Sequence, residues 1–585
     1  MEHARIAWTG SIPNSFSCSR PFTFSFLFRT SFLLIGLYTA QMRRIALLLV
    51  LSLPAVGQES VDLGVVDRIK TEAFDHSRVM ETLREISDVH GPRLTGSPGF
   101  EDAARWAMSE LTSYGLDKVH FEKWGPFGRA WTLEESSVEL LEPRYSQLTA
   151  VPLAWSSPTN GPVTGDLVLA PIRASFRDGP AKFKAALDAY RAKWTGKLRG
   201  KIVLISDAKV PAQQTNPQFT RYTAAELADM AEAPTPSAKL SATKLEELEW
   251  PDNPADLGTF FGSLSNKLMD QVYDLYDQAV ADRAEFFAKE GVAGVLLEDD
   301  RAHEGLVMAE AAGGFKTSAT LAPPTFVITA EQYNRIARLL EHKETARVRL
   351  NLKATIGDRD VDGMNIIGEI PGGAKKDEVV MIGAHFDSWH SGTGATDNGC
   401  GSAVMIEVMR ILKALHLKLD RSVRIGLWSG EEEGLFGSRA YVKEHFADPN
   451  TMRVTAEHAK LSGYFNLDNG SGKIRGVYLQ GHDAMRPIFE AWLAPFRDQG
   501  VTTVSIRNTG GTDHLSFDAV GLPGFQFIQD PLDYGSITHH SDMDTWDHAV
   551  PADLMQAAAV IASVVYDTAN RPEMLPRRPL LKPGE

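Results

Sequence analysis

His385 and Asp387 stand two apart at the end of an apolar run rich in Val and Ile, and on an extended segment that spacing sends both side chains to one side. There the carboxylate can orient the imidazole or share its task. Asp397 follows in a Gly-rich loop, and Glu431, Glu432 and Glu433 come directly after a second apolar run. One imidazole with several carboxylates suits a hard to borderline cation such as zinc. Singly the signals are weak. His-x-Asp arises by chance, three consecutive Glu commonly form a solvated turn, and Asp-Asn-Gly commonly marks a turn. Their order along one frame makes them specific.

That frame is a strand, a loop, a helix and a strand. The runs 379–383 and 423–428 read as buried strands, and the pattern over 402–415 between them as a helix. Each polar cluster lies just past the carboxyl end of a strand, where open α/β sheets place their ligands. A cation site built by this segment alone is open on one side. Downstream, 463–468 reads as a third strand ending in Asp468, and 538–545 places His539 and His540 in a loop.

The segments HFD, ATDNG, SGEEEGLFGS, NLDN and HHSDMDT, in that order, resemble the co-catalytic zinc exopeptidases of clan MH, which include the aminopeptidase S and Y group and the glutamate carboxypeptidases. The resemblance extends to the plasma glutamate carboxypeptidase (carboxypeptidase Q) branch in particular. That branch shares DSW after the first His, the GGTD segment at 510–513, the double His and a tail like EMLPRRP at 573–579. The resemblance spans about 59–579. It implies an α/β fold with a mixed central sheet, helices on both faces and an inserted β-rich protease-associated domain. It also implies two zinc ions bridged by Asp397, with His385 and Asp468 completing one set of protein ligands and Glu432 and His540 the other.

Glu431 is then the general base, a non-ligand carboxylate that takes a proton from water and returns it to the leaving amine. Glu433-Gly434-Leu435 sets this register and makes Glu433 the variable position. Asp387 reads as a carboxylate that holds His385 in its tautomer. The resemblance puts His539 on the substrate side, together with Gly511 and Asp513, in a segment that lines the cleft.

From its start, the chain is expected to carry an upstream extension at 1–41 and a secretory signal at 42–57. Arg43 and Arg44 precede an apolar run, 45–53, and a small-residue cleavage site, 55–57. The alternative is a membrane anchor in the first 57 residues, although neither apolar run there reaches the ~20 residues of a spanning helix. Of two cysteines, Cys18 falls before that cleavage and only Cys400 remains, so stability rests on core burial. Cys400 reads as a small packed residue, with a reactive thiol as the alternative. The formal charge of −15 and the lack of basic runs argue against nucleic acid and anionic membrane as partners.

The expected domains are a first part of the peptidase domain at 59–146, the insertion at 147–354 and a second part at 355–579. Helical patterns at 65–89 and 100–114 flank the loop HGPRLTGSPG, and His90 in that loop reads as structural. Within the insertion, 211–275 reads as a helical or partly mobile excursion of unreadable function.

The function expected is that of a secreted or periplasmic metalloexopeptidase acting on dipeptides or the ends of short peptides. It needs no stable membrane association after signal cleavage, and a homodimer is possible. Alternatives are a carboxypeptidase acting on a free C-terminal residue and a non-catalytic peptide-binding or receptor-like protein. Side-chain preference, zinc against cobalt or manganese, and oligomeric state stay open.

Overall fold

The computed structural model describes residues 59–580, apart from 175–177, 210, 212, 237–241, 243, 252–259, 261–263 and 300. The extension 1–41, the signal segment 42–57 and Cys18 lie outside the described residues. The strands of the main sheet are β1 (Asp117–Glu142), β2 (Ser146–Leu148), β3 (Ala150–Pro152), β4 (Val163–Leu169), β5 (Ile202–Leu204), β6 (Gly294–Leu297) and β7 (Thr325–Ile328). They continue with β8 (Arg347–Ile370), β9 (Lys375–His385), β10 (Arg421–Trp428), β11 (Leu461–Asn466), β12 (Ile474–Tyr478), β13 (Thr503–Ser505) and β14 (Gly524–Gln529).

The sheet runs β13-β12-β14-β11-β9-β10-β8-β4-β5-β6-β7-β3, with β1 along β8 and β2 on β1. β9, β10, β11 and β14 are mutually parallel neighbours, whereas β8 is antiparallel to β10, β1 and β4. Parallel strands need crossovers, and the helix Cys400–Ala414 supplies the one between β9 and β10. Along β9 the period of two sorts the side chains. Val380, Ile382 and Ala384 join the core beneath Cys400–Ala414 and the last helix, Pro551–Asn570, while Val379 and Met381 join a second core with Trp428, Tyr464 and Phe517. With both faces covered, these strands read as continuous apolar runs. The mixed sheet and its flanking helices are the expected fold class.

The last helix runs unbroken over Pro551–Asn570. The pattern over 65–89 instead divides into Leu63–Asp75, Val79–Arg84 and a wider turn, Glu85–Val89. The helix Pro98–Ser113 follows, capped by Ser97. β14 and the helix Phe436–His445 went unpredicted. GFQFIQ is short and lies between Pro523 and Asp530, and its place between β12 and β11 is what makes it a strand.

In the segment 147–354, β4 to β7 run parallel beside the helices Pro180–Trp194, Asn266–Glu290 and Ala330–Glu341. The long antiparallel pair β1 and β8 ties this segment into the sheet that carries β9 and β10. Cys400 is free and fully buried, and burial pushes its thiol well above the usual range. This agrees with packing rather than reactivity.

Candidate metal centre

The ends of three parallel strands set the site. Trp428 of β10 pairs with His385 of β9, and Asn466 of β11 with Gly383, so the strands finish level. His385 is the last residue of β9, and the chain then delivers Glu431–Glu433 just beyond β10 and Asp468 just beyond β11. Asp397 lies in the turn that opens into the helix Cys400–Ala414. That turn begins at Gly394, with φ +67°, where an added Cβ would stand 2.3 Å from Ser388; the position requires glycine. His540 comes from the loop after Tyr534–Thr538 and holds φ +62°, an uncommon conformation for a residue with a side chain.

Two donor sets meet at Asp397. His385 Nε2 is 3.3 Å from Asp397 Oδ1 and 3.4 Å from Asp468 Oδ1. On the other side, His540 Nε2 is 3.3 Å from Asp397 Oδ2 and 3.1 Å from Glu432 Oε2. Around a tetrahedral cation with bonds near 2.0–2.1 Å, donor atoms sit about 3.3 Å apart. Asp397 Oδ2, Glu432 Oε1 and Asp468 Oδ1 are buried and accept no hydrogen bond, which leaves their lone pairs for an ion. The residues therefore fit a cation on each side of Asp397.

His539 Nε2 stands farther from Asp397, at 3.8 Å, and its ring stacks on His540 with centroids 3.9 Å apart. Burial and the neighbouring His540 press its pKa down to about 4.

The electrostatics belong to a crowded acidic pocket. Burial opposes charge on His385, but Asp468, Glu431, Asp387 and Asp397 carry its pKa well above the ordinary value. Burial lifts the Glu431 carboxyl well above the usual range; His385 pulls it down, and Asp468, Asp513 and Glu432 push it further up. Glu432 is pushed up to about 7 by burial and by Asp397. Asp513 is fully buried and lifted by burial to about 7 against the pull of His385. Glu433 is raised as well, by burial and then by Asp387 and Glu432. Gly511, at φ +82°, has nothing within 4 Å of where a Cβ would stand, so this loop opens to free space.

The Asp387 carboxylate occupies a different place from the one expected. The backbone carbonyl of Asp387, 3.0 Å away, accepts from His385 Nδ1, and the carboxylate lies 3.7 Å from that nitrogen. The carboxylate accepts instead from Thr95 Oγ1 at 2.9 Å and from the backbone N–H groups of Glu431 and Glu432 at 3.4 and 3.3 Å. Asp387 thus anchors the Glu431–Glu432 turn and orients His385 mainly through its main chain.

Three supporting residues were missed. Arg93, fully buried, donates to the carbonyls of Ile86, Phe386, Thr393 and Gly394 at 2.6–3.1 Å and so fixes the loop between His385 and Asp397. Thr95 accepts from Gly430 N at 2.9 Å, which ties the same N-terminal loop to the turn after β10. Asp544 accepts from Thr396 N, Thr396 Oγ1 and Asp397 N at 2.6–3.2 Å, holding the turn that presents Asp397. Asp544 lay within the motif HHSDMDT, which gave it no assigned task; the segment of Arg93 and Thr95 read only as a loop.

Residues 365–565 match the sequence signature of peptidase family M28. Carboxypeptidase Q of Bos taurus is 28% identical over 504 residues, 86% of this chain and 87% of the relative. Leupeptin-inactivating enzyme 1 of Streptomyces exfoliatus is 35% identical over 163 residues, 28% of this chain and 34% of the relative. The crystal structure of a peptidase M28 precursor from Shewanella amazonensis superposes with TM-score 0.60 at 23% identity, covering 88% of this chain and 98% of that one. A zinc aminopeptidase from Bacillus subtilis superposes with TM-score 0.50 at 19% identity, over 84% and 93% of the two chains. These structural likenesses are likenesses of fold.

Proposed function

We infer from the kinship of residues 365–565 with peptidase family M28, which makes this chain a metallopeptidase, that it is a binuclear zinc exopeptidase cleaving dipeptides or the ends of short peptides. The carrying observation is that Asp397 offers one oxygen to the set with His385 and Asp468 and the other to the set with Glu432 and His540. Zinc bound there supplies Lewis-acid polarisation of a peptide carbonyl and a water of lowered pKa. Glu431 lies outside both sets, beside His385 and Asp468, where its carboxylate takes a proton from water and hands it to the leaving amine. Among the described residues, no helix is long and apolar enough to cross a membrane. Secretion or export to a periplasm rests on the signal expected at 42–57.

The site reads a free amino end. Asp468, Asp513 and Glu432 stand about Glu431, and this acidic surround favours an ammonium over a terminal carboxylate. Three of the four basic residues near the motifs, all but Lys473, are paired with carboxylates. Arg439 pairs with Asp270 at 2.9 Å, Arg475 with Asp530 at 2.8 Å and Arg507 with Asp229 at 2.7 Å. Release of a C-terminal residue is the second reading, favoured by the long match to a relative named carboxypeptidase Q; a dipeptide with both ends free satisfies both readings.

The test is metal content by mass spectrometry, followed by a dipeptide assay with and without chelator. Two zinc ions per chain and activity lost on chelation are expected, and a metal-free active protein overturns the proposal. Comparing a free dipeptide with its N-acetyl form and its C-terminal amide decides the end that is read. The N-acetyl form is expected to be the poorest substrate; loss of activity with the amide alone moves the assignment to the carboxyl end.

A further inference from the structure

The segment 301–311, far from the peptidase motifs in sequence, reaches the metal centre. Glu310 Oε1 lies 2.8 Å from His540 Nδ1, on the opposite side of the ring from the Nε2 that faces Asp397 and Glu432. Arg301 holds the same carboxylate oxygen at 3.0 Å and is itself gripped through two nitrogens by Asp299, both at 2.9 Å. The backbone around Glu310 is stitched to both loops of the site. Val307 N donates to Asp542 Oδ1 at 3.0 Å and Val307 O accepts from Asp542 N at 2.9 Å, beside a bridge between Met308 and Ser541. Ala309 exchanges hydrogen bonds with Ser391 Oγ at 3.0 and 3.1 Å. Glu310 O also accepts from Ala154 N at 2.9 Å, which fixes the segment from behind.

We propose that Glu310 is a positioning residue of the metal centre: it accepts the hydrogen bond of the His540 Nδ1–H, fixes the tautomer that turns the Nε2 lone pair to the ion, and raises the basicity of that nitrogen. A metal-bound imidazole that donates its other N–H to a carboxylate is oriented and made a stronger donor. Here the carboxylate comes from the segment between β6 and β7, so that segment completes the coordination environment as well as bordering the cleft. Arg301 holds the Glu310 carboxylate toward His540 and keeps it from turning to solvent.

The inference rests on His540 being a ligand, and its test separates the two claims. Zinc affinity is measured by competition with a chromophoric chelator for the wild-type chain, Glu310→Gln and Glu310→Asp, together with melting of each metal-free protein and the visible absorption of each cobalt-substituted one. Loss of the charge in Glu310→Gln, or of reach in Glu310→Asp, is expected to weaken one of two zinc ions roughly 10- to 100-fold. The absorption of one cobalt site should shift, and the metal-free melting temperature should stay close to wild type. Wild-type zinc affinity and an unshifted cobalt spectrum in both variants overturn the role of Glu310 and leave the metal centre standing. A lowered metal-free melting temperature with undiminished zinc affinity also overturns it, since that is the mark of a scaffold residue. A wild-type chain that binds no zinc overturns the metal centre and this inference with it.

Discussion

Glu431 and Glu432 are adjacent in sequence, yet their surroundings give them different tasks. Glu432 Oε2 lies 3.1 Å from His540 Nε2, within one donor set, whereas Glu431 is set against His385, Asp468 and Asp513 with its carboxyl raised. Glu431→Gln should therefore keep bound metal and lose at least ~10² in kcat, the usual scale for a positioned acid or base. Glu432→Ala should lose metal. Metal analysis beside steady-state kinetics separates the pair, and the reverse pattern would mean that the register is off by one. The same contrast divides the two histidines. His540→Ala should release metal, while His539→Ala, removing a ring that packs on His540 and Tyr534 with its Nε2 3.8 Å from Asp397, should retain metal and lose turnover.

At the scale of the element, the site depends on loops that are straightened from behind. The turn carrying Asp397 is held by Asp544, which accepts from two consecutive backbone N–H groups and one hydroxyl. An amide in its place has one oxygen fewer to accept with and presents a donor toward buried N–H groups. Asp544→Asn is expected to weaken metal binding without any contact to the ion, a change read by chelator titration. Arg93 does the equivalent work for the loop from Phe386 to Gly394. Arg93→Met strands several buried carbonyls, and each charge-assisted hydrogen bond lost contributes about 1.5–3 kcal/mol. Urea denaturation of the metal-free protein should show a loss of at least about 2 kcal/mol, and a midpoint equal to that of wild type would contradict the role.

At the scale of the whole molecule, stability couples to the metal and to pH. An ion bound by the native state and not by the unfolded chain adds about 2.7 kcal/mol per site when present at 100 times its Kd. Chelation is therefore expected to lower Tm in calorimetry, and an unchanged Tm would count against resident metal. Asp567, on the last helix and remote from the site, supplies a separate pH dependence. Its carboxyl is pushed up to about 8 by burial, with Asp62 and Glu59 facing it. Since its folded pKa exceeds the unfolded one, the stability contributed by the neutral carboxyl is fully present below about pH 4 and is lost as pH rises through about 8. Asp567→Asn, neutral throughout, should gain Tm over wild type at pH 8 and little at pH 4. Parallel Tm curves for the two proteins would remove Asp567 as the cause.

The resemblance carried by the ordered motifs singled out His385, Asp397, Glu432, Asp468 and His540, and the structure brings these five side chains together at strand ends that the apolar runs announce. His385 ends β9, and Glu432 and Asp468 follow β10 and β11 within a few residues. Local spacing and strand ends are one-dimensional information, as is the apolar pattern of the last helix. The supports of the site were not legible for the opposite reason. Arg93 acts on a loop about 300 positions away and Glu310 on a histidine 230 positions away, and neither segment carries a periodic or motif-like signal of its own. The Asp387 carboxylate was placed on His385 by its two-residue spacing, but the turn after β10 brings backbone N–H groups that hold it elsewhere. Sequence thus determined which side chains could share a cation and on which strand ends they stand. Only the tertiary structure decided what holds those side chains in place, because hydrogen bonds to buried loops are set by which distant segments the sheet brings together.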